Sequence, residues 1–423
     1  MDGDPKVESQ LDSFSLTFPL PYRIGFIIVL GRLRMNRAPG TAANRIIAVW
    51  GWGVNLHYLH KVKIDVPSLI RYPSRSSPTE PAHHLSTYRL ATVLSTVFFF
   101  SISTFWIFTR RTPSLVIEYD WLPMTYLVAL AAMFFVPVRT FSQGGRSRFL
   151  ATLRRVSIGG LAEAKDGKFG DVLLADVLTS YSKILGDLYV VLCMFFTPAG
   201  SSTARPDRNC GGTVMVPLIM AVPFAIRFRQ CIIEYLRVRR APYKESAGWG
   251  GQHLANATKY ATAFPVIILS ALQRGVPAGQ PAPGLNRAWL MAVLVNSLYS
   301  WYWDVAKDWD LTLFSPARER NNPEHPFGLR RRLVFQQPII YYVVIVMDLM
   351  LRCTWTVKLS ANLDKFTDFE SCIFLLQSLE VLRRWVWIFF RVETEWIRNN
   401  TSGLAVDDIL LGDYQGKYDS DED

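Results

Sequence analysis

Long apolar stretches recur along the chain, separated by shorter segments rich in Lys, Arg, Pro and Ser. A helix needs about 20 mostly apolar residues to cross a bilayer. Ten stretches approach that length: 15–33, 44–59, 89–109, 121–141, 171–197, 213–230, 254–273, 286–303, 337–357 and 369–391. The first two are the weakest matches, because Arg23 and the Gly51/Gly53 pair interrupt them. The pattern predicts an all-α polytopic membrane protein with about ten transmembrane helices. Residues 1–14 lack the basic start, apolar run and small-residue cleavage site of a signal peptide, so no cleaved leader is expected. No period of 20–50 residues repeats, which leaves a solenoid unsupported. The Pro/Ser-rich stretch 66–81 and the Pro/Gly-rich stretch 275–284 read as connecting loops. The acidic tail from Asp407 to Asp423 reads as disordered. Its string Asp407-Asp408-Ile409-Leu410-Leu411 fits either a plain tail or an acidic-dileucine sorting signal.

Of 423 residues, 50% are hydrophobic and only 19% are charged, against about 25% in ordinary soluble proteins. That weighs against a soluble enzyme. In a soluble chain the net charge of +11 would suggest nucleic acid. In a membrane protein Lys and Arg collect in cytoplasmic loops, so no nucleic-acid partner is expected. Segment 139–168 holds seven basic residues (Arg139, Arg146, Arg148, Arg154, Arg155, Lys165, Lys168), segment 227–244 holds six, and segment 318–332 holds five. The alternating segments 198–212, 274–285 and 358–368 hold two, one and two. With ten spans this places both termini in the cytoplasm, although Arg32, Arg34 and Arg37 then fall on the far side. The sequons at Asn399 and Asn400 would face the cytoplasm and stay bare. Five Cys (Cys193, Cys210, Cys231, Cys353, Cys372) are an odd number without CxxC spacing, four of them inside apolar segments. They read as small buried apolar residues rather than a disulfide frame.

Charges at membrane depth cost roughly 2.5 to 3.5 kcal/mol each and need partners or a task. The second half of the chain is rich in them. Asp171 and Asp176 open the fifth span and Lys259 sits in the seventh. Asp304 and Asp308 follow the eighth at i, i+4, and Arg352 lies in the ninth. The tenth carries Glu380, Arg383 and Arg384. Each residue alone fits an internal ion pair. As a set they point to an anion site, because the planar donor fork of Arg matches a phosphate or carboxylate and never loses its charge. The acidic residues would hold the cations when the site is empty, Lys259 or the tenth-span Arg residues being the expected partners of Asp304 and Asp308. Trp355, one turn after Arg352, would wall the site, stack on a guanidinium, or sit at the lipid interface.

Six blocks in order then resemble the EXS domain of eukaryotic phosphate exporters. They are Phe169-Gly-Asp171 to Ser180, Arg227-Phe-Arg-Gln230-Cys231, Asn256-Ala-Thr-Lys259-Tyr260, Trp303-Asp304 to Asp308-Trp309, Leu351-Arg352-Cys-Thr-Trp355 and Glu380 to Glu395. The resemblance covers roughly residues 146–398 and implies an EXS-type transport core in the C-terminal half. It divides the chain into a short cytoplasmic N-terminus (1–14), N-terminal transmembrane helices (15–141), an EXS-like domain (142–398) and an acidic cytoplasmic tail (399–423). With about 14 residues before the first span, the SPX sensor domain of the larger exporters is not expected here. The chain is therefore most similar to the short fungal ER-retention-defective group. That similarity implies a Golgi membrane protein returning inorganic phosphate from lumen to cytosol, after hydrolysis of the nucleoside diphosphates left by glycosylation. The family's phosphate path falls on Asp176, Thr179, Lys259, Tyr260, Asp304, Asp308, Arg352, Trp355, Glu380, Arg383 and Arg384. Thr179 stands where larger exporters often have Asn. The run after Cys231 departs from the family pattern, so Arg227 joins only as a secondary candidate.

No GxxxxGK[ST] loop supports ATP-driven pumping, and no nucleophile and base pair or GxSxG elbow supports catalysis. His57 and His60 share a helix face but lack a third ligand, so neither metal nor cofactor is expected. Arg330-Arg331-Arg332 fits a topology determinant or a lipid headgroup contact. Expected partners are inorganic phosphate and membrane lipids, and a homodimer stays open. Two other functions stay open too. One is a non-transporting trafficking protein that binds Golgi glycosyltransferases or sorting adaptors. The other is a polytopic membrane glycosyltransferase, for which the short, acid-poor lumenal loops offer little.

Overall fold

The computed structural model describes residues 11–29, 49–71, 83–136, 143–163, 166–198, 200–240, 250–277, 282–315, 326–330, 332–335, 337–359 and 370–418. Among them there is no β-strand. The α-helices are α1 (Ser13–Thr17), α2 (Leu20–Val29), α3 (Val49–Lys61), α4 (Val66–Leu69), α5 (His83–Thr109), α6 (Pro113–Glu118), α7 (Trp121–Phe135), α8 (Gln143–Arg154), α9 (Lys168–Ser180), α10 (Ser182–Phe196), α11 (Met215–Arg240), α12 (Gly251–Ala261), α13 (Ala263–Gly275), α14 (Pro283–Trp303), α15 (Pro338–Arg352) and α16 (Glu370–Tyr418). Each of the ten expected stretches holds helix. Four runs are long and apolar enough for one crossing by themselves: α5, α6 with α7, α11, and α15 with the turn after it. A fifth is the pair α9 and α10, bent by 61° at Tyr181. The remaining stretches fall short because they are broken, carry ionic residues or, in α14, mix apolar residues with Asn286, Arg287, Asn296 and several Ser, Tyr and Trp. The seventh, expected as one span over 254–273, divides at Thr262 into α12 and α13.

Large apolar side chains face outward in number, among them Phe100, Ile107, Leu218, Met291, Val343 and Met350. Water would penalise such a surface, whereas lipid tails cover it at no cost. The inward faces form two main apolar cores. One gathers α2, α5, α7 and α10 around Tyr22, Phe98, Phe105 and Tyr126. Gly25 makes this approach possible, since a Cβ there would lie 2.3 Å from the Tyr126 ring. The other packs α3, α9, α15 and α16 around Tyr341, Trp309, Trp387 and Phe390.

Two expectations are corrected here. Cys193, near the end of α10, forms a disulfide with Cys210, 17 residues on in the following loop; Cys231, Cys353 and Cys372 are free. The loop folds back on α10, and neither the odd count nor the absence of CxxC spacing reveals such a return. The stretch expected as a disordered tail instead continues α16 as helix to Tyr418.

Candidate functional site

Three helix C-termini and one π-helical turn converge on a buried ionic cluster. The bend at Tyr181 ends α9 with Asp176, Thr179 and Ser180 in its last turns. Lys259 and Tyr260 close α12, and Arg352 closes α15. Cations in a last turn face the negative end of the helix dipole, which lowers the cost of burying them. The turn Asp304–Asp308 extends α14 in π-helical form. Arg227 comes from α11, and Glu380, Arg383 and Arg384 come from α16.

The cluster has two lobes. In the first, Arg227 donates from Nε to Asp176 (2.8 Å), from Nη1 to Gln230 (2.6 Å) and from Nη2 to the Tyr260 hydroxyl (3.0 Å). Tyr260 donates in turn to Asp176, and its ring lies 4.7 Å from the guanidinium carbon of Arg227. In the second lobe, Lys259 donates to Asp304 (2.9 Å) and to Asp308 (3.0 Å). Arg352 pairs with Asp304 and with Asp348. Arg383 reaches Asp348 at 3.0 Å and holds Glu380 through Nε and Nη2. The expected pairing of Asp304 and Asp308 with path cations is therefore present, with Lys259 as the bridge between the two carboxylates.

Arg384 differs from its neighbours. It is 5% exposed, yet its partners are neutral: Nε donates to the Ser180 hydroxyl (3.0 Å) and Nη2 to Thr179 (3.3 Å). Its guanidinium carbon lies 4.5 Å from the Trp387 ring. Nη1 is buried without a hydrogen-bond partner among the described residues. A lost hydrogen bond to a charged group costs about 1.5 to 3 kcal/mol, so the empty cluster holds an unmet charged donor, beside the unmet neutral donors Gln230 Nε2 and Trp387 Nε1. Ser180 also donates to Glu380 (2.8 Å), whose side chain is 37% exposed, so the cluster is reachable beside this donor.

All eleven sequence-derived residues and Arg227 lie in or beside this cluster, and the structure separates readings that the sequence left open. Arg227 is central rather than secondary. Trp355 does not stack on a guanidinium: its indole donates to Ser297 at 3.1 Å and meets Trp289 edge to face. Trp387 takes the place beneath the guanidinium. Glu380 binds Arg383 and not Arg384. Asp171, noted with Asp176, stands apart and pairs with Arg155. Reading the sequence missed Asp348, although its i, i+4 spacing to Arg352 is a helical ion-pair signal. It also missed Ser180 and Gln230, whose roles depend on long-range contacts. No group of three or more His, Cys, Asp or Glu side chains among the described residues has metal-site geometry.

A second buried ionic group lies at the other end of α10. Arg23 donates to Glu370 (2.6 Å), to Ser15 (2.7 Å) and to the Phe18 carbonyl (2.7 Å). Arg208, in the disulfide-tethered loop, holds Glu370 through both terminal nitrogens and lies 3.6 Å from Asp187. Gln377 donates to Asp187 at 2.6 Å.

The geometry can be set beside known proteins. Protein ERD1 homolog 1 of Schizosaccharomyces pombe is 30% identical over 389 residues, 91% of this chain and 92% of that protein. Protein ERD1 homolog 2 of the same yeast is 33% identical over 232 residues, 53% of this chain and 54% of that one. Solute carrier family 53 member 1 of Mus pahari is 30% identical over 295 residues, 65% of this chain but 39% of the relative. The model of the EXS family matches residues 40–397, taking in every residue of the ionic cluster. The chain belongs to the EXS family.

Proposed function

We propose that the protein is an inorganic phosphate transporter of the Golgi membrane, returning phosphate from lumen to cytosol through about ten crossings, with both termini cytoplasmic. The observation that carries this reading is the unpaired Nη1 of Arg384. A phosphate oxygen is an acceptor of the right charge for it, and the Thr179 and Ser180 hydroxyls beside it would donate to the same group by turning from the Asp176 carbonyl and from Glu380. Four other cations surround the seat, each held by carboxylates: Arg227 by Asp176, Lys259 by Asp304 and Asp308, Arg352 by Asp304 and Asp348, and Arg383 by Asp348 and Glu380. Such pairs leave no naked charge in the empty state, and phosphate competes with the carboxylates for their donors as it passes. The name solute carrier borne by a relative supports transport, and the similarity to ERD1 homologs agrees with the resemblance to the ER-retention-defective group, from which the Golgi assignment is taken. The disulfide supports the orientation, because such bonds persist in oxidising compartments, the side expected for loop 198–212.

Phosphate flux into liposomes holding the purified protein tests the reading. Flux should exceed that of empty liposomes, and Arg384→Ala should lower it about 10- to 100-fold, the loss of one charge-assisted hydrogen bond. Folding should survive, since the substitution strands no acidic partner. Correctly folded protein without flux would exclude transport. Undiminished flux in the variant would move the seat away from Arg384.

A further inference from the structure

A cavity of about 480 Å³ lies between α3, α5, α8, α9 and α16. Its walls are mainly apolar, with Trp52, Leu90, Leu173, Leu174, Val177 and Ile388 among them. Its charged side chains sit at the two ends. Arg146, Arg148 and Arg155 stand at the end formed by α8 and the start of α9, and Arg384 closes the other. From Gly170 to Tyr181 the α9 wall rises about 16 Å at 1.5 Å per residue. That is close to half of the roughly 30 Å hydrocarbon core, one leaflet.

We propose that this cavity binds an anionic phospholipid from the leaflet next to segment 139–168, with an acyl chain between α5 and α9 and the headgroup phosphate on Arg148. The apolar walls exclude inorganic phosphate from the interior, because an unpaired anion there would lose its hydration without replacement. At the outer end, Arg148 is half-buried and has no hydrogen-bond or ionic partner among the described residues. Its neighbours are committed: Arg155 pairs with Asp171, which also accepts from the Ala162 amide, and Arg146 donates to the carbonyls of Met133 and Val136. Gly167 keeps the recess open. Its φ of +93° suits glycine, and a Cβ there would come within 3.3 Å of both Arg148 Nη2 and the Cβ of Arg71. Arg71 and Arg148 flank this recess, and of the carboxylates nearby Asp171 is held by Arg155 and Asp166 lies within electrostatic reach of the same Arg155. A zwitterionic headgroup brings no net charge to these arginines, whereas an anionic one such as that of phosphatidylserine brings a net negative charge. At the inner end the chain terminus packs toward Arg384 and closes that side of the phosphate seat to water.

The test uses the full chain, purified in detergent, stripped of lipid and titrated with phosphatidylserine or phosphatidylcholine under native mass spectrometry. Phosphatidylserine should bind at least tenfold more tightly than phosphatidylcholine. Arg148→Glu should remove that preference, and Leu174→Trp, which fills the cavity, should weaken both lipids. Leu174→Ala, which empties space instead, should retain binding and so separates filling from misfolding; thermal unfolding of each variant confirms the fold. Equal binding of the two lipids, or unchanged phosphatidylserine binding in either Arg148→Glu or Leu174→Trp, would overturn the proposal. Inorganic phosphate supplies the remaining arm. If excess phosphate displaces phosphatidylserine, the recess is a free-phosphate site and the lipid assignment fails.

Discussion

The buried ionic groups at Glu370 and at Arg384 use the same residue types and differ in how completely they are satisfied. In the group at Glu370, the nitrogens of Arg23 all find acceptors, those of Arg208 all face a carboxylate, and Gln377 completes Asp187. In the group at Arg384, a guanidinium is left among hydroxyls with one nitrogen unmet. A fully paired cluster has nothing to offer an anion without first breaking itself, so it acts as a strut. A cluster with a buried unmet donor gains by binding one. Charge at membrane depth is therefore a poor guide to a transport site, and incomplete pairing is a better one.

The largest test of this contrast is Glu370→Ala. It strands the buried Arg23 and the half-buried Arg208, and also removes an acidic residue from the first turn of α16. Breaking a buried pair from one side costs about 3 to 5 kcal/mol, so thermal unfolding of the purified variant should shift down strongly. Phosphate flux per folded molecule should stay at the parent level. Loss of flux from protein that remains folded would place the Glu370 group on the transport path and dissolve the distinction.

Reading the sequence recovered most of one group and almost none of the other, for a physical reason. Lys259, Asp304, Asp308, Arg352, Arg383 and Arg384 sit in runs that are otherwise apolar, so their cost in lipid marks each one without knowledge of its partner. Arg23 was equally visible but read as a flaw in a weak span, because Glu370 lies 347 residues away and outside any helical spacing. The same limit hid Ser180 from Arg384, 204 residues on, and the return of Cys210 to Cys193. Asp348 was within reach of the i, i+4 rule and was passed over inside an apolar run. The apolar helices were legible from hydropathy, whereas α8, inside the basic segment 139–168, was not. The breaks at Tyr181 and Thr262, which create the helix ends of the site, were not, since each lies inside one continuous apolar pattern.

The disulfide offers the next largest effect. It closes a loop 17 residues long, worth about 3 kcal/mol if it acts mainly by restricting the unfolded chain. Because that loop carries Arg208, replacing both Cys193 and Cys210 with Ser should loosen the strut group alone. Hydrogen exchange should rise in the amides around residues 200–212 and at the start of α16, while those around Thr179 and Arg384 keep their protection. Equal loosening of both groups would show that they are mechanically one unit.

The smallest effect concerns Lys259, which is shared by two carboxylates at 2.9 and 3.0 Å. Asp304 is fully buried and also holds Arg352, so removing it disturbs several contacts together. Asp308 has a 14% exposed side chain and pairs only with Lys259 among the ion pairs of the described residues. Asp308→Asn therefore subtracts one negative charge next to the proposed path with little change of shape. Lys259 stays anchored by Asp304 and gains a freer donor, and an incoming anion meets less repulsion. Phosphate affinity in equilibrium binding should rise a few-fold, about 1 kcal/mol at the effective dielectric typical of protein sites, with unfolding temperature nearly unchanged. A carboxylate that served only to hold helices together would give the opposite pattern, a lower unfolding temperature with affinity unaltered, and would place Asp308 with the strut residues.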